Sequence, residues 1–130
     1  MRQETRLWLQ QAQEDFLTAQ VNFNGGRFYA ASIFSQQAAE KALKALILER
    51  TAAAPPRTHD LVALGRRVEV PPEIVKALEQ LNPTYVVSRY PDVLTNTIPA
   101  DFIDEKAAKS HMADAEVIVT WARQKLETQS

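Results

Sequence analysis

Residues 27–50 read Arg27-Phe28-Tyr29-Ala30-Ala31-Ser32-Ile33-Phe34-Ser35-Gln36-Gln37-Ala38-Ala39-Glu40-Lys41-Ala42-Leu43-Lys44-Ala45-Leu46-Ile47-Leu48-Glu49-Arg50. Phe28, Ala31, Phe34, Ala38, Ala42 and Ala45 recur at intervals of three and four, with Ile33, Leu43, Leu46 and Ile47 beside them. That spacing is helical, and so broad an apolar surface belongs to a central helix touched by several neighbours. The helix is expected from about Arg27 to Arg50. Ala52-Ala53-Ala54-Pro55-Pro56 ends it, because proline cannot donate the helical hydrogen bond.

On the N-terminal side, Trp8, Ala12, Phe16, Ala19 and Phe23 mark one face of a helix from about Glu4 to Asn24. Asn24-Gly25-Gly26 stops it, since glycine enters the left-handed region at little steric cost. So short a turn makes the first two helices antiparallel. On the other side, Thr58 or Asp60 is placed to cap a short helix over Leu61 to Arg67. Pro71-Pro72-Glu73 opens another, which carries Ile74, Ala77, Leu78 and Leu81 and stops at Asn82-Pro83. Residues 85–100 hold Pro91 and Pro99 and show no period. An irregular stretch of that length is often functional, although Tyr85 to Ser88 could extend a helix. The last helix is expected to begin near Asp101 as N-cap and to bury Ala108, Met112, Ala115, Val119, Ala122 and Leu126. The expected fold is all-α: one domain over residues 1–130, an up-and-down bundle of four to five helices, three long and one or two short.

Composition narrows the function. The chain has no cysteine, which excludes disulfides, thiolate metal sites and cysteine nucleophiles. It has only two histidines, so no metal site is expected, and no cofactor. No run approaches the roughly 18 apolar residues of a membrane span, and Met1 to Arg6 lead into no signal-peptide core. A cytoplasmic protein without membrane association is expected. The formal net charge is −1, not the basic excess of a protein gripping long nucleic acid. Any nucleotide or RNA contact must use a local cluster, an oligomer or a partner.

Three such clusters stand out. Gln36, Gln37, Glu40, Lys41 and Lys44 interrupt the apolar surface of the second helix. They form either a solvated edge, where a Glu40–Lys44 pair contributes roughly 0.2–0.5 kcal/mol, or one wall of a cleft. Arg57-Thr58-His59-Asp60 precedes a helix. His59 titrates near neutrality when unperturbed and suits a general base or a phosphate contact; otherwise it holds the loop while Asp60 caps. In Ser88-Arg89-Tyr90-Pro91-Asp92, Arg89 offers a planar fork for phosphate or carboxylate and Tyr90 a ring for a base. The alternative is an Arg89 ion pair that fixes the loop, with Tyr90 in the core. His111 lies one position off the apolar stripe of the last helix, where a half-buried structural histidine is expected. No phosphate-binding glycine loop and no nucleophile elbow occurs.

The order of these pieces is similar to that of the HEPN family of prokaryotic helical domains. The resemblance rests on Glu14-Asp15-Phe16, Gly26-Arg27-Phe28-Tyr29-Ala30-Ala31, Gln36-Gln37-Ala38-Ala39-Glu40-Lys41-Ala42-Leu43-Lys44-Ala45, Thr58-His59-Asp60-Leu61, Arg89-Tyr90-Pro91-Asp92 and Ala115-Glu116-Val117-Ile118 with Trp121. It implies a helical bundle that forms a homodimer. It also implies pairing with a minimal nucleotidyltransferase, often as toxin and antitoxin, and either nucleotide binding or metal-independent RNA cleavage. The cleaving members carry an arginine, four to six residues, then a histidine. Here the positions after Arg89 that would hold the histidine are Leu94, Thr95 and Asn96. The expectation is therefore a binding module that uses Lys44, His59, Arg89 and Tyr90, with Glu40, Asp60 and Asp92 in support. The alternatives are a ribonuclease built on Arg89 and His59, and a purely structural scaffold.

Overall fold

The computed structural model describes residues 1–128. Its helices are α1 (Gln3–Asn24), α2 (Phe28–Thr51), α3 (Leu61–Arg67), α4 (Pro72–Leu81), α5 (Thr84–Val87), α6 (Pro99–Phe102) and α7 (Glu105–Thr128), with a 3₁₀ turn at Pro91–Val93 between α5 and α6. No strand occurs among the described residues. The three long and two short helices expected from the periodicity are present. The addition is a set of single turns in the irregular stretch, each opened by a proline: Pro83 before α5, Pro91 in the 3₁₀ turn and Pro99 in α6.

The α1–α2 turn closes as the sequence indicates. Gly26 takes φ +78°, and the Arg27 N–H donates back to the Asn22 carbonyl at 2.8 Å. The two helices are thus an antiparallel hairpin. Helix α2 is buried on nearly every side, including Ser32, Ser35, Gln36, Glu40 and Lys44 among its apolar residues. Fully buried alanines at the contacts, Ala12 and Ala19 on α1, Ala38 and Ala42 on α2, Ala115 and Ala122 on α7, let the three backbones approach closely. The larger core side chains, Leu43, Leu46, Leu64, Leu78, Leu81, Ile118 and Leu126, gather where α3 and α4 complete the bundle.

Helix α7 runs parallel to α2. Ala31 packs with Ala108 at one end, Ala38 and Ala42 with Val119 and Ala122 in the middle. Near its start, Ser32 Oγ lies 2.7 Å from His111 Nδ1 and ties the two helices in register. The start of α7 corrects the sequence reading. Asp104, not Asp101, caps it, accepting from the Ala107 N–H at 2.8 Å. Asp101 belongs to the separate turn α6. The reason is Ile103, which leaves the helical conformation (ψ 106°) and is almost wholly buried with Ala31 and Ala108.

Two other caps fix the region that matters below. Asp60 accepts from the Val62 and Ala63 N–H groups at 3.0 and 3.2 Å, opening α3. Asn82 donates to the same Asp60 oxygen at 3.0 Å and accepts from the Leu61 N–H at 2.8 Å, clamping the end of α4 to the start of α3.

Two outcomes follow for stability. Gly65 lies buried in α3, and a Cβ there would run into Leu78 Cδ1 and stand 3.2 Å from Val70. Alanine gains about 1 kcal/mol of helix propensity, but overpacking a closed core costs about 1–3 kcal/mol. Since Leu78 is itself fully buried, Gly65→Ala is expected to lower the unfolding free energy by about 1 kcal/mol in urea titration. Burial also pushes the His111 imidazole below its ordinary value of 6.5. A base depressed in the folded state favours folding above its unfolded pKa. That advantage is lost as pH falls from about 6.5 through the lower folded value. The melting temperature should therefore drop between about pH 7 and pH 5, with a shallower drop in His111→Gln.

Candidate functional site

Gln36, Glu40 and Lys44 of α2 are buried where water is scarce, so they must satisfy one another. Glu40 is the centre. Its Oε1 accepts from Gln36 Nε2 at 3.1 Å and lies 2.9 Å from His59 Nδ1, while Oε2 accepts from Lys44 Nζ at 3.0 Å. Burial alone would raise the Glu40 carboxyl. The hydrogen bonds from His59, Lys44 and Gln36, together with the Lys44 charge, outweigh it and hold the group below its ordinary value. With Glu40 ionised, a proton on His59 is placed at Nδ1, toward the carboxylate. The His59 side chain is 53% exposed.

The other half of the site comes from the turn after α4. Tyr85 on α5 stacks against the His59 imidazole, with ring centroids 4.2 Å apart and planes 14° from parallel. The Arg89 guanidinium carbon lies 4.1 Å from the centroid of the same ring. Two planar groups this close would collide on one face, so the Tyr85 ring is held between them. Arg89 also donates to the Tyr85 carbonyl at 2.9 Å and to Gln36 Oε1 at 3.3 Å. Glu40, His59, Tyr85, Arg89 and Gln36 thus form a closed circuit of contacts. Burial lowers the Arg89 guanidinium below its ordinary value, opposed by Tyr85, Glu40 and Tyr90; an arginine remains cationic at neutral pH. Beside this circuit is a hollow of about 310 Å³ lined by Gln37, Glu40, Lys41, His59, Tyr85 and Arg89.

The residues singled out in the sequence separate accordingly. Glu40, His59 and Arg89 meet at the hollow. Lys44 does not face it: its side chain is 8% exposed and bonded to Glu40. The lysine that lines the hollow is Lys41, one residue beyond Glu40, held by the buried Asp15 of α1 and by Gln37 Oε1 at 3.3 Å. Tyr90 is not in the core. It stands 44% exposed, its phenol beside that of Tyr85. Asp60 caps α3 and positions the loop that carries His59. Asp92 is exposed in the 3₁₀ turn, away from the lining of the hollow. Among the described residues no ion pair between Arg89 and a carboxylate fixes the loop; Gln36 and Tyr85 do this instead. The sequence reading did not give Tyr85 its place. Its signal was the four-residue interval to Arg89, which sets the two side chains together once that turn is helical.

The polar residues of α2, the His59 loop and the Arg89 turn are the same segments that carried the family resemblance, and here they enclose one hollow. The HEPN domain family model matches residues 5–125, nearly the whole chain. The chain belongs to the HEPN family. Two solved structures superimpose on it closely. TT1696 from Thermus thermophilus is 30% identical, with a TM-score of 0.88 over 95% of this chain and 99% of its own. ST0689, an archaeal HEPN homologue, is 30% identical, with a TM-score of 0.81 over 96% of this chain and 98% of its own. No curated protein matches this HEPN chain.

The Glu40–Lys44 pair sets an expected outcome. Replacing Glu40 by Gln leaves a buried ammonium without its counter-charge, at a cost of about 3 kcal/mol. Glu40→Gln with Lys44→Met should recover most of that loss. Because the Glu40 pKa is depressed in the fold, the wild-type contribution is complete above the unfolded value near 4.5 and disappears as pH falls through the lower folded value. Chemical denaturation of the three proteins from about pH 7 to pH 3 checks both statements.

Proposed function

We propose that this HEPN protein is a binding module for the phosphate of a nucleotide, with the hollow at Glu40, His59, Tyr85 and Arg89 as its site. The observation that carries the reading is the fixing of Arg89 and His59 on opposite faces of one tyrosine ring, at the wall of one hollow. A guanidinium and an imidazole held in place before the ligand arrives lose little freedom on binding. Arg89 supplies the fixed positive charge and planar donors. In its imidazolium form His59 donates a second hydrogen bond from Nε2, and Lys41 takes the role at the hollow first assigned to Lys44. Glu40 orients His59 and Tyr90 shapes the rim. The module acts as a homodimer and pairs with a minimal nucleotidyltransferase of the toxin–antitoxin type. The family resemblance supports that assembly.

The second reading is a ribonuclease. What favours it is the carboxylate–imidazole pair: Glu40 fixes the tautomer of His59 and leaves Nε2 as an acceptor, the arrangement a general base needs. Arg89 would then stabilise charge developing on the phosphate.

Thermal unfolding with AMP, GMP and ribose 5-phosphate separates these readings when combined with RNA integrity in EDTA. A ligand at about one hundred times its Kd adds about 2.7 kcal/mol, roughly 10 °C in a chain of this size. Arg89→Ala should abolish the shift while the protein stays folded. An unchanged shift in Arg89→Ala would refute the assignment. Metal-independent RNA cleavage lost in both His59→Ala and Arg89→Ala would establish the second reading.

A further inference from the structure

The sandwich around Tyr85 limits what the site can recognise. Both ring faces are covered, one by His59 and one by Arg89. A nucleobase therefore finds no open face on Tyr85 inside the polar hollow, although base recognition commonly depends on stacking. The base of a bound nucleotide must be held elsewhere, within reach of the phosphate.

A second hollow lies next to the first. It has a volume of about 250 Å³ and is lined by Leu7, Trp8, Gln11 and Lys41. Lys41 is common to both hollows. Its ammonium is anchored to Asp15 and Gln37, so the lysine forms a fixed sill between them. Gln11 is tied in as well, donating to Asp15 at 2.9 Å. Trp8 is half-buried and so held from behind by the core, and Leu7 is 54% exposed. An apolar floor, an indole and an amide that offers both donor and acceptor are the groups that hold a nucleobase by stacking and by its edge. A ligand that occupies both hollows has to cross only one lysine side chain.

We propose that the hollow of Leu7, Trp8 and Gln11 is the base subsite for a nucleoside phosphate whose phosphate lies at His59 and Arg89, with Lys41 spanning the two. The proposal rests on the reading of the first hollow as a phosphate site. It adds that the ligand is recognised through its base and that α1 takes part in binding.

Tryptophan fluorescence tests it. The chain has two tryptophans, so Trp121→Phe leaves Trp8 as the sole reporter. AMP is expected to quench Trp8 saturably, and ribose 5-phosphate, which lacks the base, is not. By calorimetry, Trp8→Leu, which keeps an apolar side chain against the core, should weaken AMP about tenfold and leave ribose 5-phosphate unchanged. Equal affinities for AMP and ribose 5-phosphate with silent Trp8 fluorescence would overturn the base subsite while the phosphate site stands. Loss of the AMP preference in Tyr90→Ala but not in Trp8→Leu would place the base at the rim and overturn it too. Binding of neither compound would remove the phosphate site, and this subsite with it.

Discussion

A buried carboxylate sets the terms for this structure. Glu40 sits on a helix enclosed on nearly all sides, and an ionised group there is tolerable only if its oxygens are fully bonded. Gln36, Lys44 and His59 provide those bonds. Two come from the same helix one turn away. The third must come from a distant segment, and that demand draws the loop before α3 onto α2. Once His59 is there, its ring is a surface for Tyr85, and Tyr85 in turn seats Arg89. The Asp60–Asn82 clamp holds the two loops at the same height. The site is therefore the outward end of a bonding requirement that starts in the core.

This arrangement also explains why the polar groups can serve both packing and binding. Lys44 and Gln36 face inward and bond to Glu40. Lys41, one residue beyond Glu40, faces the hollow and is steadied by Asp15 of α1. Between them the helix presents one ammonium to the core and one to solvent. Membership of the HEPN family and the superposition on TT1696 and ST0689 fix the fold, but the division of labour among these side chains follows from burial alone.

Much of this was legible in the sequence, and for identifiable reasons. The alanine and leucine spacing of α2 marks a helix with neighbours all round. Gly25-Gly26 marks the hairpin, and Asp60 and the paired prolines mark the short helices. Glu40, His59 and Arg89 stand out as polar residues in apolar or loop settings. Three things were hidden. The choice between Lys41 and Lys44 is a rotation of about 100° per residue on one helix, and which side is closed depends on where α1 lies. The choice between Asp101 and Asp104 as cap turns on Ile103 entering the core, a tertiary fact. Tyr85 gains its meaning only when Thr84–Val87 forms a helical turn and brings its ring beneath Arg89.

The α1–α2 hairpin is joined by a turn of a few residues, while α7 and the Arg89 turn reach α2 only from far along the chain. Loop closure favours the first contact over the second. Closing the hairpin therefore costs less chain entropy than docking α7 or the Arg89 turn. The His59 and Arg89 loops are attached to α2 by side-chain bonds, while the helices α3 and α4 beside them carry the apolar contacts. A ligand bridging Arg89 to α1 would staple the turn after α4 to the N-terminal hairpin, so occupancy of the site would be read across the molecule as slower amide exchange in α3, α4 and α5.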